Sequence, residues 1–502
     1  MTSAYSALLE RLRSFKALSS ADGLLSWDHA VMMPSAGGGA RAEAGAAVGS
    51  AMHALIAGDD FGRLLDAAEA EKPVGGVEAA MLAWARRESE RRRRVPPALV
   101  SELARHAALS HDIWVEARAK SDFSIFRPAL EKMFELKRRQ AEALAPSGDL
   151  YDAWLQEFEP GMTTGEAAAM LEAIRAGLAP LAKAVLARGV DSPPLFGTYA
   201  VETQRRLCEL AVREMGFDLS RGRLDIAAHP FCCSLGRGDV RLTTRYSETL
   251  PFSALYGCLH EAGHGLYEQG IGEELEGTPL ANGATMAMHE SQSRLWENVV
   301  GRSRGFWTRW TPRFHEAFPQ TRALGPEEFY RAVNRVSASF IRVEADELTY
   351  GLHVILRFEL ERDLLAGRLR VADLPEAWNA KMKDSLGITP PDDARGVLQD
   401  VHWAEGLIGY FPTYAIGNAI SLQLWAAALA ARPGIEAEIE NGGAPSLLSW
   451  LGENVHRHGK AGTAAEIVAA ATGRPLDAAP YIRYMTKKYG ELAGLSGASS
   501  VR

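Results

Sequence analysis

Two histidines four residues apart, His260 and His264, enclose Glu261 in the run His260-Glu261-Ala262-Gly263-His264. On an α-helix this spacing leaves both imidazoles on one side, where they can close on a single metal ion. Glu261 is rotated away from His260 and stands beside such an ion without binding it. Two neutral imidazoles on Zn²⁺, with a carboxylate that takes a proton from water activated by the ion, make a hydrolytic arrangement. A catalytic zinc ion takes three protein ligands and keeps one place open, so a third ligand is required. Glu290, in His289-Glu290-Ser291-Gln292, lies downstream, and a short loop into an antiparallel helix returns it to the ion. Glu297 sits on the same face of that helix, as a second candidate or as a partner for a ligand imidazole. The shorter return path favours Glu290.

These groups need rigid supports. Apolar residues recur at helical spacing through Ser253–Gln269, Gly270 and Gly272 mark its end, and a second helix is expected over about 284–300. Gly263 and Gly265 each cost a mid-helix about 1 kcal/mol relative to alanine, and close helix packing or backbone room for a substrate explains them equally well. Strand signals at 223–227 and Asp239–Thr244, with Gly236 and Gly238 between them, predict a small antiparallel sheet just before the metal helix. An open sheet edge there can hold an extended peptide by backbone hydrogen bonds. Elsewhere the pattern is helical, over 6–18 and from about 40, then 98–120, 128–144, 164–188, 326–336, 337–366, 374–386, 412–431, 446–457 and 464–471. Ser20 and Asp22 offer an N-cap between the first helix and the next. Residues 149–162 form a turn-rich connector, and 496–502 a frayed tail. No repeat or low-complexity linker cuts the chain, so 1–495 reads as one large, mainly α domain.

Composition bounds the function. Hydrophobic residues at 47% and charged residues at 24% exclude wholesale disorder. A net charge of −8 argues against a general nucleic-acid binder. Arg91-Arg92-Arg93-Arg94 precedes Pro96-Pro97, and at a helix C-terminus it complements the macrodipole. Cys208, Cys232, Cys233 and Cys258 make no disulfide framework and no zinc knuckle, and read as reduced thiols. No secretory signal is visible. The apolar stretch 414–431 is broken by Asn418, Ser421 and Gln423 and reads as a buried helix, not a membrane span. A cytoplasmic protein without membrane or nucleic-acid partners is expected.

Six motifs stand in order along the chain: His229-Pro230-Phe231; Asp239, Arg241 and Thr243; His260-Glu261 with His264; His289-Glu290-Ser291-Gln292; Ile341-Arg342 with Ala345-Asp346; and Gly396 with Gln399-Asp400, His402 and Trp403. Together with Trp27-Asp28, Phe158-Glu159-Pro160-Gly161-Met162 and Tyr410-Phe411-Pro412, the sequence resembles the carboxypeptidase Taq family of metallocarboxypeptidases. At Trp27-Asp28-His29 the family more often has Gln third. The resemblance implies a homodimeric, mostly helical peptidase with a long deep groove. It implies removal of single amino acids from peptide C-termini with one divalent ion per chain, zinc or cobalt. It also implies His260, His264 and Glu290 as ligands and Glu261 as catalytic acid/base. A donor must then hold the tetrahedral oxyanion, and His402 and Tyr410 are the candidates. A free α-carboxylate calls for the planar fork of an arginine. Arg342 is preferred over Arg241, against the alternative that Arg342 pairs with Asp346 one helical turn on. Arg241 and His229 stay as further candidates for substrate contact, although His229, like Asp239, more readily shapes the sheet than touches substrate.

Overall fold

The helical runs fold as helices in the computed structural model, which describes residues 3–71, 75–145, 148–195 and 197–495. They gather in two compact units, each drawn from three stretches of chain: Met1–Arg93, Pro194–Val333 and Leu424–Pro475 in one, Arg94–Pro193, Asn334–Gln423 and Leu476–Arg502 in the other. The expected tail, 496–502, lies outside the described residues.

The first unit opens on one continuous helix, Ala4–Val31, capped by Ser3, whose side chain accepts from the Ser6 N–H. The break expected at Ser20 and Asp22 does not occur. Leu8, Leu12, Phe15 and Trp27 are buried along it, and Ser20 Oγ donates to the Leu235 carbonyl at 2.7 Å instead of capping a new helix. After a turn at Ser35–Gly37 the next helix is Gly38–Ala57.

Three strands follow: β1 (Gly222–Ile226), β2 (Cys232–Gly236) and β3 (Asp239–Thr244), in the order β1-β3-β2. The sheet is mixed where an antiparallel one was expected. β2 was unforeseen; it turns through residues 236–238 into β3 and pairs with it antiparallel, so that β1 meets the far side of β3 in parallel. Central β3 buries Val240 and Leu242 completely, and the metal helix Ser253–Gln269 packs on it.

A loop leads to the helix Met286–Arg294, capped by Thr285, whose hydroxyl accepts from the Met288 N–H at 3.1 Å. The expected α-helix to residue 300 changes character here. Leu295–Val300 is a π-helical turn, closed where Gly301 N–H donates to the Trp296 carbonyl at 2.9 Å. Such wider turns recur at functional sites because they re-aim side chains. Trp296 within it is buried, as are Trp307 and Trp310, and the Trp307 ring stacks on Phe329.

The second unit contains the helices Pro97–Lys120, Phe123–Leu144, Thr164–Arg188, Tyr350–Leu365, Leu374–Leu386 and Ala479–Leu492. The connector 149–162 contains a short helix, Asp152–Phe158. The expected helix 337–366 starts only at Tyr350. Before it the Asp346 carboxylate accepts from the backbone N–H groups of Ser337, Leu348 and Thr349, which ties residues 337–349 into a loop with one tight turn at Arg342–Glu344. Among the described residues Phe411–Ala431 is the one helix long and apolar enough to cross a membrane, and 61% of its apolar window is buried inside the protein.

Candidate metal centre

Helical spacing does bring His260 and His264 to one face of Ser253–Gln269, and Glu290 comes to them from the helix Met286–Arg294. Glu290 Oε2 lies 3.7 Å from Nε2 of each histidine. Ligands about 2.0–2.2 Å from a tetrahedral ion stand roughly 3.3–3.6 Å apart, so these three atoms fit one zinc-sized ion with little movement. The other nitrogen of each ring is engaged elsewhere: His260 Nδ1 with Glu297 Oε2 at 2.9 Å, His264 Nδ1 with His289 Nδ1 at 2.9 Å. Both Nε2 atoms are therefore left for the ion. Glu290 is divided in the same way. Its Oε1 accepts from Arg294 Nε at 2.6 Å, while Oε2 faces the histidines with the Ser293 hydroxyl at 3.2 Å.

Close packing makes this geometry. A Cβ on Gly263 would stand 2.7 Å from the Gln292 carbonyl oxygen and from Ser293 Cα, so only glycine lets the two ligand-bearing helices approach. A Cβ on Gly265 would meet the Phe217 ring at 2.7 Å and Leu242 at 2.8 Å. Of the two explanations for these glycines, packing is the one realised.

The local electrostatics suit a cation. Burial alone would depress His260, but Glu290, Glu297 and Glu261 outweigh it and raise its pKa to about 9. Burial, then His260 and His289, hold His264 well below the usual imidazole range, in the neutral form a ligand needs. Glu261 is buried, and burial with Glu290 and Glu297 raises its pKa to about 7 against the opposing pull of His260. Burial disfavours the Glu297 carboxylate too, yet Arg294, His260 and Arg302 hold it below the ordinary range. Arg294 and Arg302 had no role in the sequence reading; the four-residue step from Glu290 to Arg294 was the available signal.

A second cluster lies within the other unit. Arg342 donates from Nε and Nη2 to Asp400 Oδ1 at 3.0 and 2.9 Å and from Nη1 to the Tyr350 hydroxyl at 3.1 Å. The Arg342 to Asp346 pair, weighed on a helix that does not form here, is absent: Asp346 caps its own loop. Arg357, fully buried, donates to Asp400 Oδ2 at 2.6 Å and to Gln399 Oε1 at 2.7 Å. One carboxylate thus faces two guanidiniums. His402 Nε2 is 3.4 Å from the Tyr414 hydroxyl, and its ring lies 5.7 Å from that of Tyr410. Burial, reinforced by both arginines against Asp400, lowers His402 to about 4.

Arg241 and His229 belong to the first unit. Arg241 makes a two-point pair with Asp239 at 2.8 Å and lies 4.3 Å over the Trp27 ring. His229 is exposed in the loop between β1 and β2.

The family model for the carboxypeptidase Taq (M32) metallopeptidases matches residues 7–489. Thermostable carboxypeptidase 1 of Thermus thermophilus is 40% identical, over 98% of this chain and 99% of the relative. Carboxypeptidase 1 of Bacillus subtilis is 39% identical, over 97% of each. Among solved structures, an M32 carboxypeptidase from Deinococcus radiodurans superposes with a TM-score of 0.95 at 43% identity, covering 98% of this chain and 100% of that one. Metallocarboxypeptidase 1 of Trypanosoma cruzi gives 0.94 at 33%, covering 97% and 99%.

Proposed function

The chain belongs to the carboxypeptidase Taq family of metallopeptidases, and on that premise we propose that it removes single amino acids of varied type from peptide C-termini by metal-dependent hydrolysis. The observation that carries this reading is the convergence of His260, His264 and Glu290 with a buried, non-ligating carboxylate, Glu261, beside them.

His260, His264 and Glu290 would hold the ion, which we assign as zinc, with cobalt able to take the same donors. When bound, the ion supplies Lewis acidity and makes a water acidic enough to react near neutral pH. Glu261 receives that proton on its carboxylate and returns it to the departing amine nitrogen. Arg294 keeps Glu290 Oε1 occupied and so presents Oε2, while Glu297 orients His260.

For the oxyanion we assign His402 and Tyr410, and for the terminal α-carboxylate Arg342. What supports an anion-recognising role is charge: two buried guanidiniums face the single carboxylate of Asp400, which leaves one positive charge unbalanced among them. Arg241 and His229 are assigned to peptide further from the scissile bond. A homodimer working in the cytoplasm completes the proposal, supported by family resemblance and by four cysteines that are all free.

An N-blocked dipeptide incubated with the zinc-loaded protein should lose its C-terminal amino acid, and a chelator should stop the release. Amidating the peptide C-terminus should stop it too; continued cleavage of the amide would mean an endopeptidase. Glu261→Gln should bind zinc normally and turn over at least 10²-fold more slowly. Undiminished activity in that variant would remove Glu261 from the mechanism.

A further inference from the structure

The two histidine ligands are held differently, and the difference gives work to two residues outside the reading above. His260 Nδ1 meets a carboxylate directly, at Glu297. His264 Nδ1 meets another imidazole, Nδ1 of His289, at 2.9 Å, and His289 Nε2 meets Glu268 Oε1 at 2.7 Å. Glu268 is buried, and the same oxygen accepts from the Gly283 N–H at 2.9 Å. The His289 ring is clamped in place. Tyr267 lies against it with ring centres 5.0 Å apart, and a Cβ on Gly283 would stand 2.3 Å from His289 Cδ2.

With both rings neutral, the state in which His264 can bind an ion, one proton arrangement satisfies this chain. Between two Nδ1 atoms 2.9 Å apart, one ring donates and the other accepts. If His289 donated at Nδ1, its neutral ring would turn a bare Nε2 lone pair towards the Glu268 carboxylate. His264 would then carry its proton on Nε2, the atom that faces Glu290. If His264 donates instead, His289 carries its proton on Nε2, donates it to Glu268, and leaves His264 Nε2 free. Glu268 therefore selects the tautomer of His289, and the His289 ring, beside its own backbone carbonyl, holds His264 in the Nδ1–H tautomer.

Resting on the metal-site reading given above, we propose that His289 and Glu268 form a positioning pair that locks His264 in its metal-binding tautomer and orientation. Neither residue touches the ion or the substrate. The pair acts before the ion arrives, by removing the competing Nε2–H form.

Amide replacements at position 289 separate this role from simple packing. The Asn side-chain oxygen falls near the place of Nδ1 and can still accept from His264; the Gln amide reaches the place of Nε2 and can satisfy only Glu268. Zinc affinity, measured by competition with a chromophoric chelator, should fall about 10–100-fold in His289→Gln and in His289→Leu. In His289→Asn it should return to within about fivefold of wild type, with the visible absorption of the cobalt-loaded protein unchanged. Thermal melts of the metal-free proteins show that each variant is folded. A packing role predicts the opposite order, with the larger Gln and Leu better than Asn, and that order would overturn the proposal. Equal affinity in all three variants would overturn it as well. If wild type itself takes up no ion, all four titrations are flat and the metal-site reading falls with it, a pattern distinct from either other failure.

Discussion

Gly263→Ala tests the packing on which the metal centre depends. The added methyl would stand 2.7 Å from the Gln292 carbonyl oxygen and from Ser293 Cα, and 2.9 Å from the Gln292 carbonyl carbon. All three are backbone atoms, so no side chain can swing aside; relaxed contact at about 3.5 Å requires the helices to part by roughly 0.8 Å. Overpacking of this kind costs about 1–3 kcal/mol, and the helix preference of alanine offsets about 1 kcal/mol, for a net loss of up to about 2 kcal/mol. The displacement falls between His264 and Glu290, whose 3.7 Å separation sets the ion site. Metal sites tolerate only about 0.2 Å in ligand distance, so zinc affinity should drop as well. Urea unfolding of the metal-free protein isolates the packing term, and chelator competition then reads affinity. Gly45→Ala and Gly49→Ala, in the helix Gly38–Ala57 with nothing within 4 Å of either new methyl, are the controls. Each should stabilise by up to about 1 kcal/mol. A Gly263→Ala protein as stable as wild type that binds zinc as tightly would refute the reasoning.

Asp400→Asn leaves two buried guanidiniums without a carboxylate and should cost about 3–5 kcal/mol in urea unfolding; a loss below about 1 kcal/mol would contradict the pairing described. Burial, with His289 adding to it, lowers His456 to about 3 in the folded protein, while its Nε2 bonds to Gln292 Oε1 at 2.9 Å. The unfolded chain then binds the extra proton, so stability is intact above about pH 6.5 and is lost as pH falls towards 3. Between pH 7 and 5, wild type should lose about 2 kcal/mol more than His456→Gln, as read by urea titrations at each pH. Zinc at about 100 times its dissociation constant should stabilise the chain by about 2.7 kcal/mol, seen as a rise in melting temperature that Glu290→Ala abolishes.

What could be read from the sequence divides by the range of the interaction that decides it. The metal helix Ser253–Gln269 is set by its own periodicity, and the expected ends coincide with the observed ones. The approach of Glu290 needed only a short loop and a second helix. The π-helical turn after Arg294 was invisible because Leu295–Val300 keeps a helical composition while its backbone widens. β2 was missed because Cys232-Cys233-Ser234 has no alternation of polar and apolar residues; its pairing with β3 fixes it as a strand. The unit boundaries left no mark in composition either, since each unit draws on three stretches of chain and no single linker separates them.

Arg342 shows most clearly where local reasoning stops. Its neighbours carry a helical apolar pattern, and Asp346 stands at the right spacing for an intrahelical pair. Instead Asp346 spends its acceptors on three backbone N–H groups of the loop, and Arg342 finds its carboxylate at Asp400. Gln399 completes the exchange: its Oε1 accepts from the Arg342 N–H at 2.8 Å and from Arg357 Nη2 at 2.7 Å, and its Nε2 donates to the Phe340 carbonyl at 3.0 Å. Arg342 of one motif and Gln399-Asp400 of the other are therefore one hydrogen-bonded unit. A change at Asp400 acts on where the Arg342 guanidinium points, and a change at Gln399 on the backbone that carries it, although neither position need meet a substrate.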